Sequence, residues 1–270
     1  MKIGFIGVGA MAQAIIQGGI LRAEFVPASN ILVHSARKNH YTTYADQNGL
    51  TAVASNTELV KQSDIVVLAV VPKVVTSVLT EIKSALTPPQ KTLVSIVSGI
   101  SLDQLAQMTT NDQPILRTLP NINSEFGAGM TAVAANNNLT GTAFQQATDM
   151  FAATGEVLEL AEDQFAVFSA ISGSAVAYVD FFIDALSRAG VKYGLNKQVA
   201  TKIAAQTTLG SAKSLLDADV SPAEMIDQVC SPGGDTIAGI LAMEKAGFLS
   251  SVVSGIDATI AKSTRKTERD

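Results

Sequence analysis

Three small residues follow the first apolar run of the chain at a spacing that could hold a pyrophosphate. Gly7, Gly9 and Ala12 come directly after Ile3–Ile6, a run that predicts a short buried strand. Gly7 would permit a tight turn, Gly9 a close approach of the backbone to phosphate, and Ala12 close packing of the next helix. A helix predicted over residues 10–22 would direct its free N–H groups at the phosphates. The pattern predicts a dinucleotide site, the alternative being a plain tight turn in an α/β protein.

A second motif, Ser-Pro-Gly-Gly-Asp-Thr at residues 231–236, has the composition of an anion-binding loop. Gly233 and Gly234 free the backbone to bend and to expose N–H groups at the start of a predicted helix, which suits a carboxylate. Thr236 would direct its hydroxyl to the same place, where it could hydrogen-bond a ring nitrogen. The alternative is an ordinary loop in which Thr236 is a helix cap.

The second half of the chain offers few groups that could give a proton to a carbonyl substrate. No histidine follows Gln164, and no lysine lies between Ser172 and Arg188. Carbonyl reduction commonly uses such a proton donor. Its absence favours a substrate that needs little acid help, such as a cyclic imine that is already protonated.

The end of the second predicted strand, Ile31–His34, indicates which dinucleotide is bound. A carboxylate there would hold a ribose 2′-hydroxyl and select NAD. The chain continues instead with Ser35, Ala36 and Arg37. Ser35 can donate a hydrogen bond to a 2′-phosphate, and Arg37 can pair with it. These residues predict NADPH, the alternative being that Arg37 and Lys38 are only the solvated start of a helix.

Predicted strands and helices alternate through the first part of the chain, as in a doubly wound α/β sheet. The strands are predicted at Ile3–Ile6, Ile31–His34, 65–70, 92–97, 115–118, 130–134 and 156–160. Later segments predict helices only, at 164–190 with an interruption near Ser172 and Gly173, and at 197–218, Pro222–Val229, 236–246 and 248–266. We therefore expect a Rossmann-type dinucleotide-binding domain over residues 1–162. An all-helical dimerisation and substrate-binding domain would follow over residues 163–270.

Composition narrows the classes of function. The 270 residues are 47% apolar and 16% charged. This apolar fraction is high for a soluble monomer and favours an oligomer. A net charge of −5 without a basic stripe argues against nucleic acid as a partner. We predict no metal site, no secretory signal and no membrane-spanning helix. The single cysteine, Cys230, cannot form an intrachain disulfide and fits a reducing cytoplasm.

Over essentially its whole length, the sequence resembles the pyrroline-5-carboxylate reductase family. The resemblance includes residues 4–12, 63–72, 119–121, 169–174 and 177–178, and its most specific part is 231–240. It implies reduction of 1-pyrroline-5-carboxylate to proline with NAD(P)H. It also implies a Rossmann domain and a helical domain that interlocks with a second subunit, with the active site at the dimer interface.

The resemblance also implies roles for individual residues. Beside Arg37, the cofactor would be bound by Ile6, Gly7, Val8, Gly9, Ala10, Met11, Ser35, Asn56, Val70, Val71, Pro72, Val97 and Gln228. The substrate carboxylate would be held by main-chain amides of Ser172, Gly173, Ser174, Ala175, Val176, Gly234 and Asp235. Thr236 would be the catalytic residue that hydrogen-bonds the ring nitrogen, and Asp219 would line the neighbouring subunit's site.

The sequence departs from the family pattern in three places. Residues 69–72 read Ala-Val-Val-Pro where the pattern has Ala-Val-Lys-Pro, and 121–123 read Asn-Ile-Asn for Asn-Thr-Pro. Residues 172–177 read Ser-Gly-Ser-Ala-Val-Ala for Ser-Gly-Ser-Gly-Pro-Ala. Ala175 keeps the backbone shape only if its φ is negative, and Val176 can donate an N–H that proline lacks. Two alternatives remain: a reductase of another cyclic imine, and a non-catalytic relative that binds nucleotide and dimerises.

Overall fold

A computed structural model describes residues 1–86 and 90–267, with side chains through residue 263. The chain divides into two compact units, an N-terminal unit formed by Met1–Gly173 and a C-terminal unit that begins at Ser174. The N-terminal unit contains the sheet, and the C-terminal unit is helical. The predicted fold class, a Rossmann-type α/β sheet followed by a helical part, is confirmed.

The N-terminal unit is built on a sheet to which the described residues contribute eight strands. They are β1 (Ile3–Ile6), β2 (Ile31–His34), β3 (Thr51–Ala52), β4 (Ile65–Leu68), β5 (Thr92–Ser95), β6 (Ile115–Leu119), β7 (Gly129–Ala135) and β8 (Gly155–Glu159). Their order is β3-β2-β1-β4-β5-β6-β7-β8, and every neighbouring pair is parallel except β6 and β7. The order therefore reverses between β1 and β4, where open α/β sheets bind their ligands.

Strands β1 and β4, at the reversal point, are apolar throughout because helices cover both faces of the sheet. The helices of this unit are α1 (Ala10–Ile15), α2 (Lys38–Asn48), α3 (Asn56–Gln62), α4 (Val75–Ile82), α5 (Leu102–Met108), α6 (Gly141–Ala152) and α7 (Phe165–Phe168). Phe5 and Val67 belong to one buried cluster, and Ile6 and Leu68 to another. Alternate residues of β1 and β4 thus enter separate cores, which anchors both strands on either side of the reversal point.

The predicted helix over residues 10–22 changes type halfway. It begins as α1 and continues as a π-helix over Ile16–Leu21. A Cβ atom on Gly18 would lie 2.1 Å from the carbonyl oxygen of Ser124, so glycine is needed for this close approach. The π-helix therefore packs directly against the backbone of the 3₁₀ turn Ile122–Phe126.

The C-terminal unit consists of five helices within the described residues. They are α8 (Ala175–Lys192), α9 (Lys197–Asp217), α10 (Pro222–Val229), α11 (Asp235–Lys245) and α12 (Phe248–Thr267). Helices α8 and α9 pack closely, with the hydroxyls of Ser187 and Thr201 2.7 Å apart. Among side chains described through residue 263, the only buried apolar ones in this unit are Ala200 and Ala204. Most of its apolar surface is therefore exposed in the single chain.

One helical stretch, Glu162–Lys192, is long and apolar enough to cross a membrane by length and composition alone. The helices Asp235–Lys245 and Phe248–Ser263 form a bent pair, which is long and apolar enough to cross a membrane only if the two are taken together. Core helices of soluble proteins also reach it, so this is weak evidence for a membrane. The absence of a membrane-spanning helix therefore stays a prediction.

Candidate active site

The cofactor residues predicted in the N-terminal unit lie along one edge of the sheet. They are at or after the carboxyl ends of five neighbouring parallel strands: Ile6 to Met11 at β1, Ser35 and Arg37 at β2, Asn56 at β3, Val70 to Pro72 at β4, and Val97 at β5. Backbone hydrogen bonds join these strand ends, from Gly7 N to His34 O (2.8 Å) and from Ala69 N to Ile6 O (2.9 Å). The fold therefore brings this set together where dinucleotides bind.

The turn after β1 has the shape that a pyrophosphate site needs. Gly7 has a φ of +99°, and a Cβ there would lie 2.3 Å from the carbonyl oxygen of Ala69. Gly9 is the N-cap of α1, and a Cβ there would meet nothing within 4 Å among the described residues. No described side chain caps α1, and its first turn has no acidic residue. Uncapped N–H donors beside open space fit a diphosphate.

The end of β2 carries no carboxylate that could hold a ribose hydroxyl. Ser35 is half-buried, and the exposed Arg37 is the N-cap of α2. The first turn of α2 has no acidic residue. Arg37 and Lys38 do begin a helix, as the alternative interpretation expected. That position also leaves the Arg37 guanidinium available to an anion at the strand end.

Two other predicted cofactor residues already have partners. The Asn56 Nδ2 atom donates to the Glu81 carboxylate at 2.8 Å, which leaves its oxygen for a cofactor. Val97 is 3% exposed, and its N–H donates to the Ser95 hydroxyl at 3.3 Å. Val97 can therefore only border the site with its side chain, because its N–H is already hydrogen-bonded.

The proposed substrate turn lies in a second π-helix, Ser169–Ser174. The buried Asn121 donates from Nδ2 to the carbonyl oxygen of Ser172 at 3.1 Å and to its hydroxyl at 3.2 Å. Asn121 is part of the family resemblance, but no role was predicted for it from the sequence. Its position after an apolar strand was the one feature that could have indicated a role. Ala175 is the first residue of α8 and its φ is not positive. Alanine can therefore keep the backbone shape that the family pattern has with glycine at this position.

The 231–236 segment forms a tight turn at the start of α11. Gly233 has a φ of +71°, and the Gly234 N–H donates to the Ser231 carbonyl at 3.0 Å. Gly234 is the N-cap and Thr236 the second helical residue, so the alternative of Thr236 as the cap is wrong. Within the described ranges, the half-buried Thr236 hydroxyl has no hydrogen-bond partner. The segment thus combines a glycine N-cap with an unengaged hydroxyl, and the Asp235 carboxylate in the first turn already accepts from the Thr236 N–H at 3.0 Å.

Asp219 and Gln228 lie on either side of a well-capped helix start. Asp219 is exposed between α9 and α10, and Gln228 is exposed on α10. At the N-terminus of α10, the Ser221 N–H donates to Glu224 Oε2 at 2.7 Å, and the Ser221 hydroxyl accepts from the Glu224 N–H. Hydrogen bonds from the Ser221 backbone and side chain lower the pKa of the Glu224 carboxyl. Within the part of the chain that the structure describes, Asp219 and Gln228 make no such contact, so their roles stay predictions.

The predicted substrate residues belong to both units. Ser172 and Gly173 end the N-terminal unit. The C-terminal unit holds the others, which are Ser174, Ala175, Val176, Asp219, Gly234, Asp235 and Thr236. Ser172 and Gly173 lie inside the continuous helical stretch Glu162–Lys192, whose amides are donors within the helix, whereas the 231–236 turn precedes a helix.

Comparisons with known families match both parts of the chain. A family model described as pyrroline-5-carboxylate reductase dimerisation matches residues 162–266. A second, described as NADP oxidoreductase, coenzyme F420-dependent, matches residues 2–99. Pyrroline-5-carboxylate reductase of Escherichia coli (strain K12) is 36% identical over 264 residues, which cover 98% of this chain and 97% of the relative.

Solved structures extend the similarity to three dimensions. A 1-pyrroline-5-carboxylate reductase from Streptococcus pyogenes is 36% identical, with a TM-score of 0.85 over 97% of this chain and 98% of that one. A pyrroline carboxylate reductase from Plasmodium falciparum, solved with NADP bound, is 32% identical, with a TM-score of 0.86 over 97% of each chain. The resemblance seen in the sequence is thus confirmed over the full length, and the chain belongs to the pyrroline-5-carboxylate reductase family.

Proposed function

We propose that this chain reduces 1-pyrroline-5-carboxylate to L-proline with NADPH, the last step of proline biosynthesis. The observation that carries the proposal is the turn at residues 231–236 in a member of this family. There a glycine N-cap at the start of α11 lies next to a hydroxyl without a partner in the described residues. These are the groups needed to bind a carboxylate and the nitrogen of one small ring.

The N-terminal unit binds the dinucleotide through its backbone. NADPH, when bound, supplies the hydride. The uncapped first turn of α1 accepts the pyrophosphate, and Gly9 leaves the space for it. Ser35 and Arg37 bind the 2′-phosphate at the end of β2. The exposed Val71 and Pro72, after β4, flank this site.

The substrate is held by main-chain amides and one side chain. The Asp235 amide, at the start of α11, binds the carboxylate together with the 172–176 segment, and Thr236 hydrogen-bonds the ring nitrogen. The imine of such a ring is protonated in solution, so hydride addition to its carbon gives an amine without a proton from a side chain. This accounts for the lack of histidine after Gln164.

The direct test is NADPH oxidation, followed by absorbance, with 1-pyrroline-5-carboxylate as substrate and proline identified as product. A matched reaction with the six-membered cyclic imine carboxylate is the control. Faster turnover of the six-membered ring would assign the chain to that substrate instead. NADPH binding without turnover of either ring would show a non-catalytic relative.

Replacing Arg37 by glutamate should reverse the choice of dinucleotide. The new carboxylate repels a 2′-phosphate and can accept a hydrogen bond from a ribose 2′-hydroxyl. We expect KM for NADPH to rise by at least about tenfold, while KM for NADH stays the same or falls. Steady-state kinetics with both dinucleotides measures this, with Lys38→Ala as the neighbouring control. A parent enzyme that strongly prefers NADH would contradict the assignment of Arg37.

We also propose that the protein is a homodimer, or an assembly of such dimers, formed through the C-terminal unit. Large apolar side chains are exposed on three of its helices: Phe181 on α8 (75% exposed), Leu216 on α9 (83%) and Leu249 on α12 (74%). A single soluble chain rarely leaves so much apolar surface in contact with water. A second copy of the same unit would remove these side chains from water and stabilise the pair.

Introducing a charge on this surface should weaken the assembly. We expect Phe181→Asp to shift the protein toward monomer, because a carboxylate buried in an apolar interface lacks a partner. Light scattering after size-exclusion chromatography measures the mass. Lys83→Asp, on the exposed surface of the N-terminal unit, is the control and should leave the mass unchanged. A monomeric parent protein would contradict the proposal.

A cytoplasmic location is part of the same proposal. The single cysteine, Cys230, fits a reducing compartment. The apolar stretch Glu162–Lys192 would then be covered by the second subunit rather than by lipid. Cell fractionation tests this: we expect the protein in the soluble fraction, and extraction only by detergent would contradict it.

A further inference from the structure

Asn121 connects two segments of the N-terminal unit that are far apart in sequence. It follows β6 and is 6% exposed. Its Oδ1 atom accepts a hydrogen bond from the Met130 N–H at 3.3 Å. Its Nδ2 atom donates to the carbonyl oxygen of Ser172 at 3.1 Å and to the Ser172 hydroxyl at 3.2 Å. One buried amide thus joins the start of β7 to the π-helical turn Ser169–Ser174.

The orientation of this amide is determined by its backbone partners. The Met130 N–H can only donate, so it must face the oxygen of Asn121. The Ser172 carbonyl can only accept, so it must face the nitrogen. The Ser172 hydroxyl also lies 3.5 Å from the Met130 carbonyl, where it can donate. An aspartate has the same shape as asparagine but cannot donate to Ser172 when ionised.

We propose that Asn121 is a positioning residue, which holds the π-helical segment 169–174 where it contacts the substrate carboxylate. This inference rests on the proposed function, which places residues 172–176 beside that carboxylate. The turn is π-helical, a form that is rare and often found at functional sites. Val176 stands where the family pattern has proline, so the backbone lacks the fixed φ that proline would give. The link to Asn121 gives this backbone a restraint from the sheet.

The test compares Asn121→Asp with Asn136→Asp. Asn136 makes the same pair of contacts elsewhere: its Oδ1 accepts from the Ile115 N–H at 3.0 Å, and its Nδ2 donates to the Gln113 carbonyl at 2.8 Å. Asn136 follows β7 and is half-buried. Each variant therefore loses a hydrogen bond from an amide nitrogen to a backbone carbonyl and gains one negative charge. Only Asn121→Asp changes a contact with the 169–174 segment.

We expect Asn121→Asp to raise KM for 1-pyrroline-5-carboxylate by about tenfold, the equivalent of one hydrogen bond of ordinary strength. KM for NADPH should change by less than about twofold. Hydrogen–deuterium exchange should become faster in the peptide covering residues 169–177 and stay the same around the glycine turn. Asn136→Asp should leave both KM values and the exchange of residues 169–177 unchanged.

Three results would overturn the proposal. They are unchanged exchange of residues 169–177 in Asn121→Asp, faster exchange without a change in KM for the imine, and failure of both Asn121→Asp and Asn121→Ala to fold. The last would show a structural role only. A parent protein that does not turn over the imine contradicts the proposed function separately, and the exchange experiment then still decides whether Asn121 holds the turn.

Discussion

Replacing Gly9 by aspartate should abolish NADPH binding and leave the N-terminal unit folded. Gly9 has a φ of −86°, which any residue can adopt, and its Cβ would enter open space. A carboxylate at the N-terminus of α1 even interacts favourably with the helix dipole. It would, however, lie beside the bound pyrophosphate. Two like charges about 4 Å apart near a protein surface repel by about 4 kcal/mol, which corresponds to about a thousandfold loss of affinity.

Fluorescence titration with NADPH measures the affinity of Gly9→Asp, and thermal unfolding measures its stability. Gly7→Ala is the matched control in the same turn. It combines a φ of +99° with a Cβ only 2.3 Å from the Ala69 carbonyl, so we expect it to lower the unfolding temperature. A Gly9→Asp protein that binds NADPH like the parent would exclude this turn as the pyrophosphate site.

Removing the Thr236 hydroxyl should lower turnover strongly while NADPH binding stays intact. The hydroxyl has no partner among the described residues and does not cap α11, so Thr236→Ala should cost little stability. Its proposed partner is the nitrogen of a charged imine. Hydrogen bonds to charged groups contribute about 1.5–3 kcal/mol, so kcat/KM should fall by about ten- to a hundredfold.

Thr236→Ser is the control for this prediction, because it keeps the hydroxyl and should keep most of the activity. Thr236→Val keeps the shape and should behave like alanine. Steady-state kinetics with the imine, together with NADPH titration, separates loss of chemistry from loss of cofactor. If Thr236→Ala turned over at the parent rate, Thr236 would have no catalytic role.

The order and type of the main elements could be predicted from the sequence because the signals are local. A fully apolar run such as Ile65–Leu68 indicates a strand covered on both faces. Two strands were predicted too long, since Val70 and Val97 are β-branched residues that continue the apolar run into the turn. The strand Thr51–Ala52 was missed because two residues cannot show a periodic pattern.

The candidate site could be predicted only where a motif is continuous in the chain. The glycine turn and the 231–236 loop are such motifs. The role of Asn121 was missed because its partner, Ser172, is 51 residues away. The two π-helices were missed as well, since their apolar spacing resembles that of an α-helix.

Strand β7 runs antiparallel to β6, and this explains how the Asn121 side chain can contact the backbone of both Met130 and Ser172. The antiparallel register pairs Leu119 with Ala132, and continuing it places Asn121 opposite Met130. A strand parallel to β6 would instead begin at the far rim of the sheet, out of reach of residue 121. A shift of β7 by a single residue would turn its side chains over and disconnect the Ser172 turn from the sheet.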